Sequence, residues 1–197
     1  MKTTTEDLFH AVLNPKVRCL SRPHIWHHFL KEASSGDSFL EFGVWNGRSI
    51  NYMADVRPDC LFHGFDSFEG LPEDWNPSHL KGHFATDVTR LSFKSNVAIK
   101  KGWFCDTVPP WISSQSSRVA GLHIDCDIFS STQTILDQFR GVIREAKPLI
   151  LFDEFYNYRE YQEGEFKAFM QFVNDSELEF GVEATNMNHQ QVLIRFL

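Results

Sequence analysis

The sequence predicts an α/β fold: a three-layer sandwich with helices on both faces of a mostly parallel, seven-stranded sheet that has an antiparallel strand at its edge. Short apolar runs bounded by turn residues alternate with stretches of helical periodicity, which is typical of strand–helix–strand units. The last two apolar runs have no helix between them, so one of them is expected to pair antiparallel. A chain of 197 residues is most simply one folding unit with a substantial core.

The first part of the chain is expected to be helical, and the rest to form the sheet. Residues 1–37 have apolar positions at helical spacing, interrupted by Pro15 and Pro23, and are predicted to pack on the core or on a partner. Residues 38–197 are predicted to form the main domain. Its strands are expected over 39–44, 61–65, 96–102, 119–125, 148–153, 179–184 and 191–196. Helices are predicted over 24–31, 48–56, 132–146 and 163–174, and a long, potentially functional loop over 69–92.

Charge and composition argue against some partners. The formal net charge is −7, and a negative surface disfavours a nucleic-acid backbone, because such binding depends on neutralising phosphates. The four cysteines form no C-x-x-C pair and no Cys/His cluster with zinc spacing, so they are expected to be scattered thiols in a reducing compartment. No secretory signal is predicted, and no apolar run approaches the roughly 18 residues of a membrane span. We therefore expect a cytoplasmic protein with no nucleic-acid or membrane partner.

The loop after the first main strand has the layout of a Rossmann-like cofactor site. Gly43 and Gly47 let the backbone approach a ligand at the start of a helix. Glu41 could reach a cofactor amino group and Ser49 its carboxylate, although an ordinary strand acid and a helix cap are the simpler alternatives. Trp45 stands where the dinucleotide fingerprint needs glycine and would crowd a pyrophosphate. This disfavours a dehydrogenase and favours S-adenosylmethionine (SAM).

The second main strand ends in an acid, Asp66, about twenty residues after the glycine loop. A carboxylate there can accept both hydroxyls of a ribose through charge-assisted hydrogen bonds. Ser67 and Phe68 would flank the ribose and adenine, and Trp103 and Phe104 would lie at the adenine edge unless they are plain core aromatics. The predicted cofactor-binding residues are Glu41, Gly43, Val44, Gly47, Ser49, Asp66, Ser67, Phe68, Trp103, Phe104 and Asp125.

Three further acids, Asp125, Asp153 and Glu154, directly follow apolar strands. The carboxyl ends of neighbouring parallel strands meet at one edge of a sheet, so the three side chains are expected to converge. Carboxylates crowded together repel one another, and oxygen-only ligands favour magnesium, calcium or manganese over zinc. A magnesium site is therefore predicted, the alternative being a pairing with Arg or Lys and no metal. Asp127 would support this site or cap the next helix.

Several stretches together resemble a known family. They are 41–44, 64–75, 101–104, 106–109, 122–132, 152–158 and 165–169, of which 65–72 and 123–127 are the most specific. They are similar to class I SAM-dependent methyltransferases of the macrocin O-methyltransferase type, including their smaller bacterial relatives. The resemblance implies methyl transfer to a hydroxyl of a sugar or phenolic natural product, with a divalent metal that is usually magnesium. The chain departs from the family in having Asp153-Glu154 instead of two aspartates, and in a shorter N-terminal region.

The resemblance also suggests roles on the acceptor side. Asp125 or His189 would remove the proton from the hydroxyl, Tyr156 and Asn157 would contact a small-molecule acceptor, and His123 is expected to be a core histidine. Two alternatives stay open: metal-independent methylation of nitrogen or of a carboxylate, and a domain that binds SAM without catalysis. A homodimer is a further expectation, since the first residues could pack on a second copy.

Overall fold

The computed structural model describes residues 3–197, whose strands form one mixed sheet between two layers of helices. The helices are α1 (Thr5–Leu13), α2 (Arg22–Leu30), α3 (Arg48–Val56), α4 (Phe104–Ser114), α5 (Phe129–Gln138), α6 (Arg140–Ala146) and α7 (Glu165–Ser176). The strands are β1 (Val17–Cys19), β2 (Ser38–Phe42), β3 (Leu61–Asp66), β4 (Val97–Lys101), β5 (Val119–Ile124), β6 (Leu149–Phe152), β7 (Phe180–Asn186) and β8 (Val192–Phe196). Short 3-10 helices cover Val88–Arg90 and Tyr161–Glu163.

The strand order is β1-β7-β8-β6-β5-β2-β3-β4, and β8 is antiparallel to both of its neighbours while the other pairs are parallel. The chain passes from β2 to β3 on one side and later places β5 on the other side of β2. The strand order therefore reverses between β2 and β5, and open parallel sheets bind ligands at such a point. The predicted fold class is confirmed, with an eighth strand, β1, added at the edge beside β7.

Alternate residues of the central strands belong to two separate cores. Leu40 and Phe42 pack in a cluster with residues of α1, α4, α5, α6 and α7. Phe39 packs in a second cluster with residues of α2 and α3. Every residue of β2 is buried, as expected for a parallel strand covered on both faces. The helices of both layers thus hold the carboxyl end of β2 in a fixed position, and this end carries the glycine loop.

The N-terminal segment is tied to the sheet by hydrogen bonds as well as by packing. A capping box between Thr4 and Asp7 starts α1, and Val12 of this helix is fully buried. Thr185 Oγ1 of β7 donates a hydrogen bond to the Val12 carbonyl. Strand β1 then pairs with β7, with Val17 opposite Ala184. This strand is not among the predicted ones, because three residues are too few to show an alternation.

Two helices also differ from the prediction. Helix α4 occupies a stretch where no helix is predicted, since Pro109 and Pro110 argue against a helix interior. The helix expected over 132–146 is divided into α5 and α6 at Phe139, whose ψ of 2° leaves the helical range. The Phe139 ring is fully buried and meets Phe42 edge-on at 5.5 Å between centroids. Packing of this ring on β2 accounts for the position of the break.

The long loop over 69–92 folds back on itself instead of extending into solvent. Gly70 has φ +82°, and a Cβ there would lie 2.3 Å from the His83 carbonyl oxygen. The Leu71 N–H donates to the same carbonyl, and the Gly82 N–H donates to the Leu71 carbonyl. The loop thus presents a fixed wall toward the glycine loop, where Phe84 meets Trp45 at 5.4 Å. Within residues 3–197, no helix is long and apolar enough to span a membrane.

Candidate active site

A cleft of about 680 Å³ lies at the carboxyl ends of β2 and β5, where the strand order reverses. The loop after β2, the loop after β5, the 69–92 loop and the start of α4 all contribute to its lining. A cavity of this size is in the range that holds a cofactor and a small molecule together. The position agrees with the predicted site.

Gly43 is needed because two loops approach each other closely at the base of the cleft. Its φ is +94°, and a Cβ at this position would lie 1.7 Å from the Asp125 carbonyl oxygen. Only glycine fits such an approach. Gly47, at the end of the same loop, has φ +74° and precedes α3 without a side-chain cap. The loop therefore brings bare backbone to the cleft between β2 and α3.

Asp66 holds the glycine loop in place. Its Oδ2 accepts hydrogen bonds from the N–H groups of Val44 and Trp45, both at 2.8 Å. Its Oδ1 accepts one from the Phe68 N–H at 2.7 Å. Each carboxylate oxygen has more than one lone-pair direction, so the side chain, which lines the cleft, retains acceptor capacity toward a ligand. Asp66 is thus both a support of the loop and a candidate contact for hydroxyls.

A buried polar chain connects the cofactor loop to the acids of β6. Glu41, 1% exposed, accepts hydrogen bonds from Ser49 Oγ at 3.0 Å and from His123 Nδ1 at 2.9 Å. The opposite nitrogen of the His123 ring, Nε2, lies 3.5 Å from Asp153 Oδ1. Burial alone would lower the pKa of His123, but its contacts with Asp153 and Glu41 outweigh burial and raise the pKa to about 10. His123 is therefore an imidazolium between two carboxylates.

Two of the three predicted metal-binding acids converge with His123. Asp125 follows β5, and Asp153 and Glu154 follow the neighbouring β6. One ligand atom each of His123, Asp125 and Asp153 lies within 4.8 Å of the others. Asp125 and Glu154 line the cleft, whereas Asp153 is fully buried behind them.

Arg22, a residue absent from the predicted site, reaches the same acids from the start of α2. Its Nη2 lies 2.5 Å from Asp153 Oδ2 and 3.8 Å from Glu154 Oε1. The Arg22 side chain also lines the cleft and is 46% exposed, while the two acids are almost fully buried. The structure thus contains an arginine partner for these acids, which is the expected alternative to a metal. Whether the acids hold a metal therefore depends on Arg22.

Comparison with known families identifies the chain. The family model of macrocin-O-methyltransferase (TylF) matches residues 24–179, which include the cofactor loop and every predicted acid. The chain belongs to this family. It is therefore a SAM-dependent O-methyltransferase, and the predicted resemblance is confirmed. No curated protein sequence gives a significant match.

Solved structures similar to this methyltransferase share its fold at low sequence identity. The calicheamicin methyltransferase CalS11 aligns with 98% of the chain and 80% of its own length, at 16% identity and a TM-score of 0.68. The O-methyltransferase NovP aligns with 85% and 75%, at 19% identity and a TM-score of 0.59. An O-methyltransferase from Bacillus cereus in complex with S-adenosylhomocysteine (SAH) aligns with 96% and 87%, at 12% identity and a TM-score of 0.55.

Most of the predicted cofactor residues of the methyltransferase lie along the cleft. Those that line it are Gly43, Val44, Ser49, Asp66, Ser67, Trp103, Phe104 and Asp125. Glu41 lies behind the loop and contacts Ser49 and His123 instead. Gly47 shapes the loop, and Phe68 is buried in the core shared with α2 and α3. The contacts of Glu41 and Phe68 with the cofactor stay predictions, and neither side chain is part of the cleft lining, since both are buried.

The carboxylates of the cleft carry more negative charge than the nearby cations balance. Burial, and then repulsion from Asp153, raise the pKa of Asp125 and of Glu154 well above their ordinary values. Burial also favours a raised pKa for Asp153, but His123 and Arg22 hold its pKa below the ordinary value. Asp153 is therefore the acid whose charge is already compensated, and Asp125 and Glu154 are those that are not.

Two further acids complete the site, and the sequence patterns assign neither of them a firm role. Asp127 lines the cleft in a left-handed conformation with φ +64°, and burial, followed by Asp153, raises its pKa to about 7. It does not cap α5, whose N-cap is Ile128 without a side-chain bond. Glu165, fully buried, accepts hydrogen bonds from the N–H groups of Cys126 and Glu154. It lies in one of the stretches that carry the family resemblance and joins the two acidic loops.

The residues predicted on the acceptor side lie outside the cleft. Tyr156 is buried and donates a hydrogen bond to the Asn186 carbonyl. Asn157 donates to the His189 carbonyl, and both side chains are exposed. Tyr156 and Asn157 line a separate depression beside α1, and neither they nor His189 are part of the cleft lining. Their proximity to Asp153 in sequence is misleading, because the chain turns away from the cleft after Glu154.

Proposed function

We propose that the protein methylates a hydroxyl of a small sugar or phenolic natural product, and that a divalent cation assists this reaction. The observation that carries the metal proposal is the convergence of Asp125 and Asp153 with His123, next to Glu154 in the lining of the cleft that also contains the glycine loop. Glu154 Oε2 is buried and has no hydrogen-bond partner among residues 3–197, whereas Asp153 Oδ1 faces His123 Nε2 at 3.5 Å. An unpartnered carboxylate oxygen such as Glu154 Oε2 is a suitable donor for Mg²⁺.

The charge balance of the cleft supports the same proposal. Among residues 3–197, Asp125, Asp127, Asp153 and Glu154 lie near the cations Arg22 and His123, and His123 is shared with Glu41. The acids therefore outnumber the nearby cations, and a divalent ion would reduce the excess negative charge of the ionised acids. When bound, such an ion supplies Lewis-acid activation of an acceptor hydroxyl. The residues that would hold it are Asp125, Asp153 and Glu154.

The chain's own residues can perform the other parts of methyl transfer. The glycine loop would hold the SAM methionine portion, with Ser49 in reach of its carboxylate and Asp66 in reach of the ribose. Asp127 lines the cleft and is better placed than His189 to take the hydroxyl proton. The acceptor oxygen then attacks the methyl carbon, and the electron pair of the breaking bond returns to sulfur. Orientation of the two reactants would supply about 7–11 kcal/mol of the acceleration.

Aromatic side chains in the lining of the cleft support the proposed substrate class. Trp26, Tyr52, Trp75 and Phe84 are all in its lining. Flat aromatic faces pack well against phenolic rings and against the apolar faces of sugars. One of the structurally similar proteins, CalS11, is a TDP-rhamnose 3'-O-methyltransferase.

Arg22 favours a second candidate function, metal-independent O-methylation. Its guanidinium already contacts Asp153 and approaches Glu154, so it could compensate the acids in place of a metal. In that case the acceptor hydroxyl would be activated by Asp127 alone. The two candidates differ in their response to chelation.

The deciding experiment measures SAH release with a panel of sugar and phenolic acceptors, in Mg²⁺ and in EDTA. The metal-assisted function predicts activity that requires Mg²⁺ and falls about 100-fold or more in Glu154→Gln. Asp137→Asn is the matched control, since Asp137 is an exposed acid paired with Arg140 away from the cleft. Full turnover in EDTA by wild type and by Glu154→Gln would select the metal-independent function. Calorimetry with SAH, independent of any acceptor, tests cofactor binding.

A further inference from the structure

We propose that Cys19, His24 and His28 form a binding site for a thiophilic divalent cation such as Zn²⁺, separate from the methyltransferase cleft. None of the three residues is part of the cleft lining. Cys19 is the last residue of β1, and the histidines lie on α2. The sequence shows no conventional zinc spacing here, because the cysteine is single and lies on a different element from the histidines.

The three side chains already converge. One ligand atom from each lies within 4.8 Å of the other two. In a tetrahedral site with zinc–nitrogen and zinc–sulfur bonds of about 2.0–2.3 Å, ligand atoms are about 3.3–3.8 Å apart. The remaining adjustment of about 1 Å is within the reach of side-chain rotation. His24 and His28 are one helical turn apart, with ring centroids 5.3 Å from each other, and His24 is exposed and free to turn.

The backbone around the three ligands is held on several sides. The Cys19 carbonyl accepts a hydrogen bond from the Met187 N–H at 2.8 Å, and the next carbonyl, of Leu20, accepts one from Asn188 Nδ2 at 2.9 Å. Ser21 Oγ caps α2 by accepting from the His24 N–H at 3.3 Å. The turn between β1 and α2 is therefore fixed before any ion binds. Pre-positioned ligands reduce the ordering cost of binding.

The donor chemistry selects the kind of cation. One sulfur and two imidazole nitrogens suit Zn²⁺, whereas Mg²⁺ and Ca²⁺ require oxygen donors. On binding, the Cys19 thiol releases its proton to solvent and coordinates as a thiolate, and no oxidation occurs. Three protein ligands leave a fourth position for water. The acids of the cleft could also bind Zn²⁺ through oxygen, but they would do so without the cysteine thiolate that distinguishes the Cys19 site.

Occupancy of this site would fix the start of α2. Arg22 lies between Cys19 and His24 in the chain and extends from this point to Asp153. A bound ion would link β1 to α2 on both sides of Arg22, the residue that contacts the cleft acids. We therefore expect Zn²⁺ to raise the melting temperature of the protein without SAH or Mg²⁺.

Cobalt is the most direct probe of the site. Untagged, EDTA-treated and reduced protein is titrated with Co²⁺, followed by near-ultraviolet absorption, and then with Zn²⁺. We expect a thiolate-to-cobalt charge-transfer band that saturates at one equivalent and is displaced by Zn²⁺. The band reports a thiolate ligand, and because Cys126 lines the cleft beside Asp125, the band should persist in Cys126→Ser if cobalt is bound at Cys19. Cys19→Ser should abolish the band, and His24→Ala should weaken binding about 100-fold.

The chain offers close controls for both variants. Cys60→Ser alters another buried thiol, which donates to the Ser34 carbonyl, and His27→Ala alters the neighbouring exposed histidine. Both should retain the band. A wild-type protein without the band, or a band that persists in Cys19→Ser, would overturn the proposal. If Cys19→Ser does not fold, exposed His24→Ala decides, and unchanged cobalt affinity in that variant rejects the site.

Discussion

Ionisation of Asp127 in the cleft should cost folding free energy that can be measured. Its pKa is raised from 3.8 to about 7 by burial and by Asp153, so the folded protein retains a proton that the unfolded chain has lost. The contribution of Asp127 to the stability of the metal-free protein should therefore fall between pH 3.8 and 7 and stay low above that range. Asp127→Asn removes this loss and should stabilise the protein by up to about 4 kcal/mol at pH 8. Urea unfolding in EDTA at pH 4 and pH 8 measures the difference.

The pH dependence separates this effect from a general change in packing. The stabilisation by Asp127→Asn should shrink to less than about 1 kcal/mol at pH 4, because this pH is close to the unfolded pKa of 3.8 and the carboxyl group is protonated in the folded state. Asp137→Asn, which alters an exposed acid, should change stability by less than about 0.5 kcal/mol at either pH. An equal effect of Asp127→Asn at both pH values would contradict the raised pKa.

Gly43 is the residue at which substitution should damage both stability and cofactor binding. Alanine would place a Cβ 1.7 Å from the Asp125 carbonyl oxygen, in a conformation with φ +94°. Separating the two loops should cost about 4 kcal/mol or more, since clash and backbone strain act together. We expect Gly43→Ala to lower the free energy of unfolding by this amount and to weaken SAH binding measured by calorimetry. Gly181→Ala is the control, because its Cβ would meet nothing within 4 Å, and wild-type SAH affinity in Gly43→Ala would refute the assigned role.

At the scale of elements, α2 delivers a positive charge to the acids at the end of β6. Arg22→Met removes the charge but keeps much of the apolar stem, and Asp153 loses its closest cation. Apo stability should fall by about 1–2 kcal/mol, less than for a fully buried pair because the Arg22 side chain is 46% exposed. Mg²⁺ affinity should rise about tenfold or more, since a like charge beside the ligands is gone.

Calorimetric titration with Mg²⁺ measures this competition directly. Lys16→Met is the matched control, because Lys16 lies in the same N-terminal segment and pairs with Glu183 instead of the cleft acids. Its Mg²⁺ affinity should equal that of the wild type. An unchanged or lower affinity in Arg22→Met would mean that Arg22 supports the acids without competing for them.

Local sequence patterns predict the strands that carry the site. They do not predict contacts between residues that are far apart in the chain. The strands β2, β3, β5 and β6 are long apolar runs, so the convergence of their terminal acids follows from parallel pairing alone. Arg22 and Asp153 are 131 residues apart, and nothing in the chain near Arg22 indicates its partner. Helix α4 is not predicted for a different reason, since its two prolines argue against a helix interior.

The predicted acceptor residues are close to the acids in the sequence, yet they are not part of the cleft lining. Tyr156 follows the proposed metal-binding acids by two positions, but it packs inward and donates a hydrogen bond to the Asn186 carbonyl. Sequence proximity to a site does not give the direction in which the chain leaves it. The aromatic cleft residues Trp26 and Trp75, by contrast, come from remote elements and have no motif of their own.

For the whole molecule, the cleft acids concentrate part of a net charge of −7 in a poorly solvated place. Folding without a metal must retain this repulsion, and Asp125, Asp127 and Glu154 relieve it by raised pKa values. Protons and a divalent cation are thus alternative ways to neutralise the same groups, which links pH, metal binding and stability.

Mg²⁺ should therefore stabilise the protein more strongly at pH 8 than at pH 6. The pKa of Asp127 is about 7, so this neighbour of the proposed ligands adds its negative charge to the cleft at pH 8 and much less at pH 6. A concentration 100 times the dissociation constant should add about 2.7 kcal/mol to the free energy of unfolding. Thermal unfolding at both pH values, with NaCl added to equal ionic strength, isolates the specific effect. Glu154→Gln should reduce it at both pH values, and an equal shift in that variant would show that Mg²⁺ acts elsewhere than at the cleft acids.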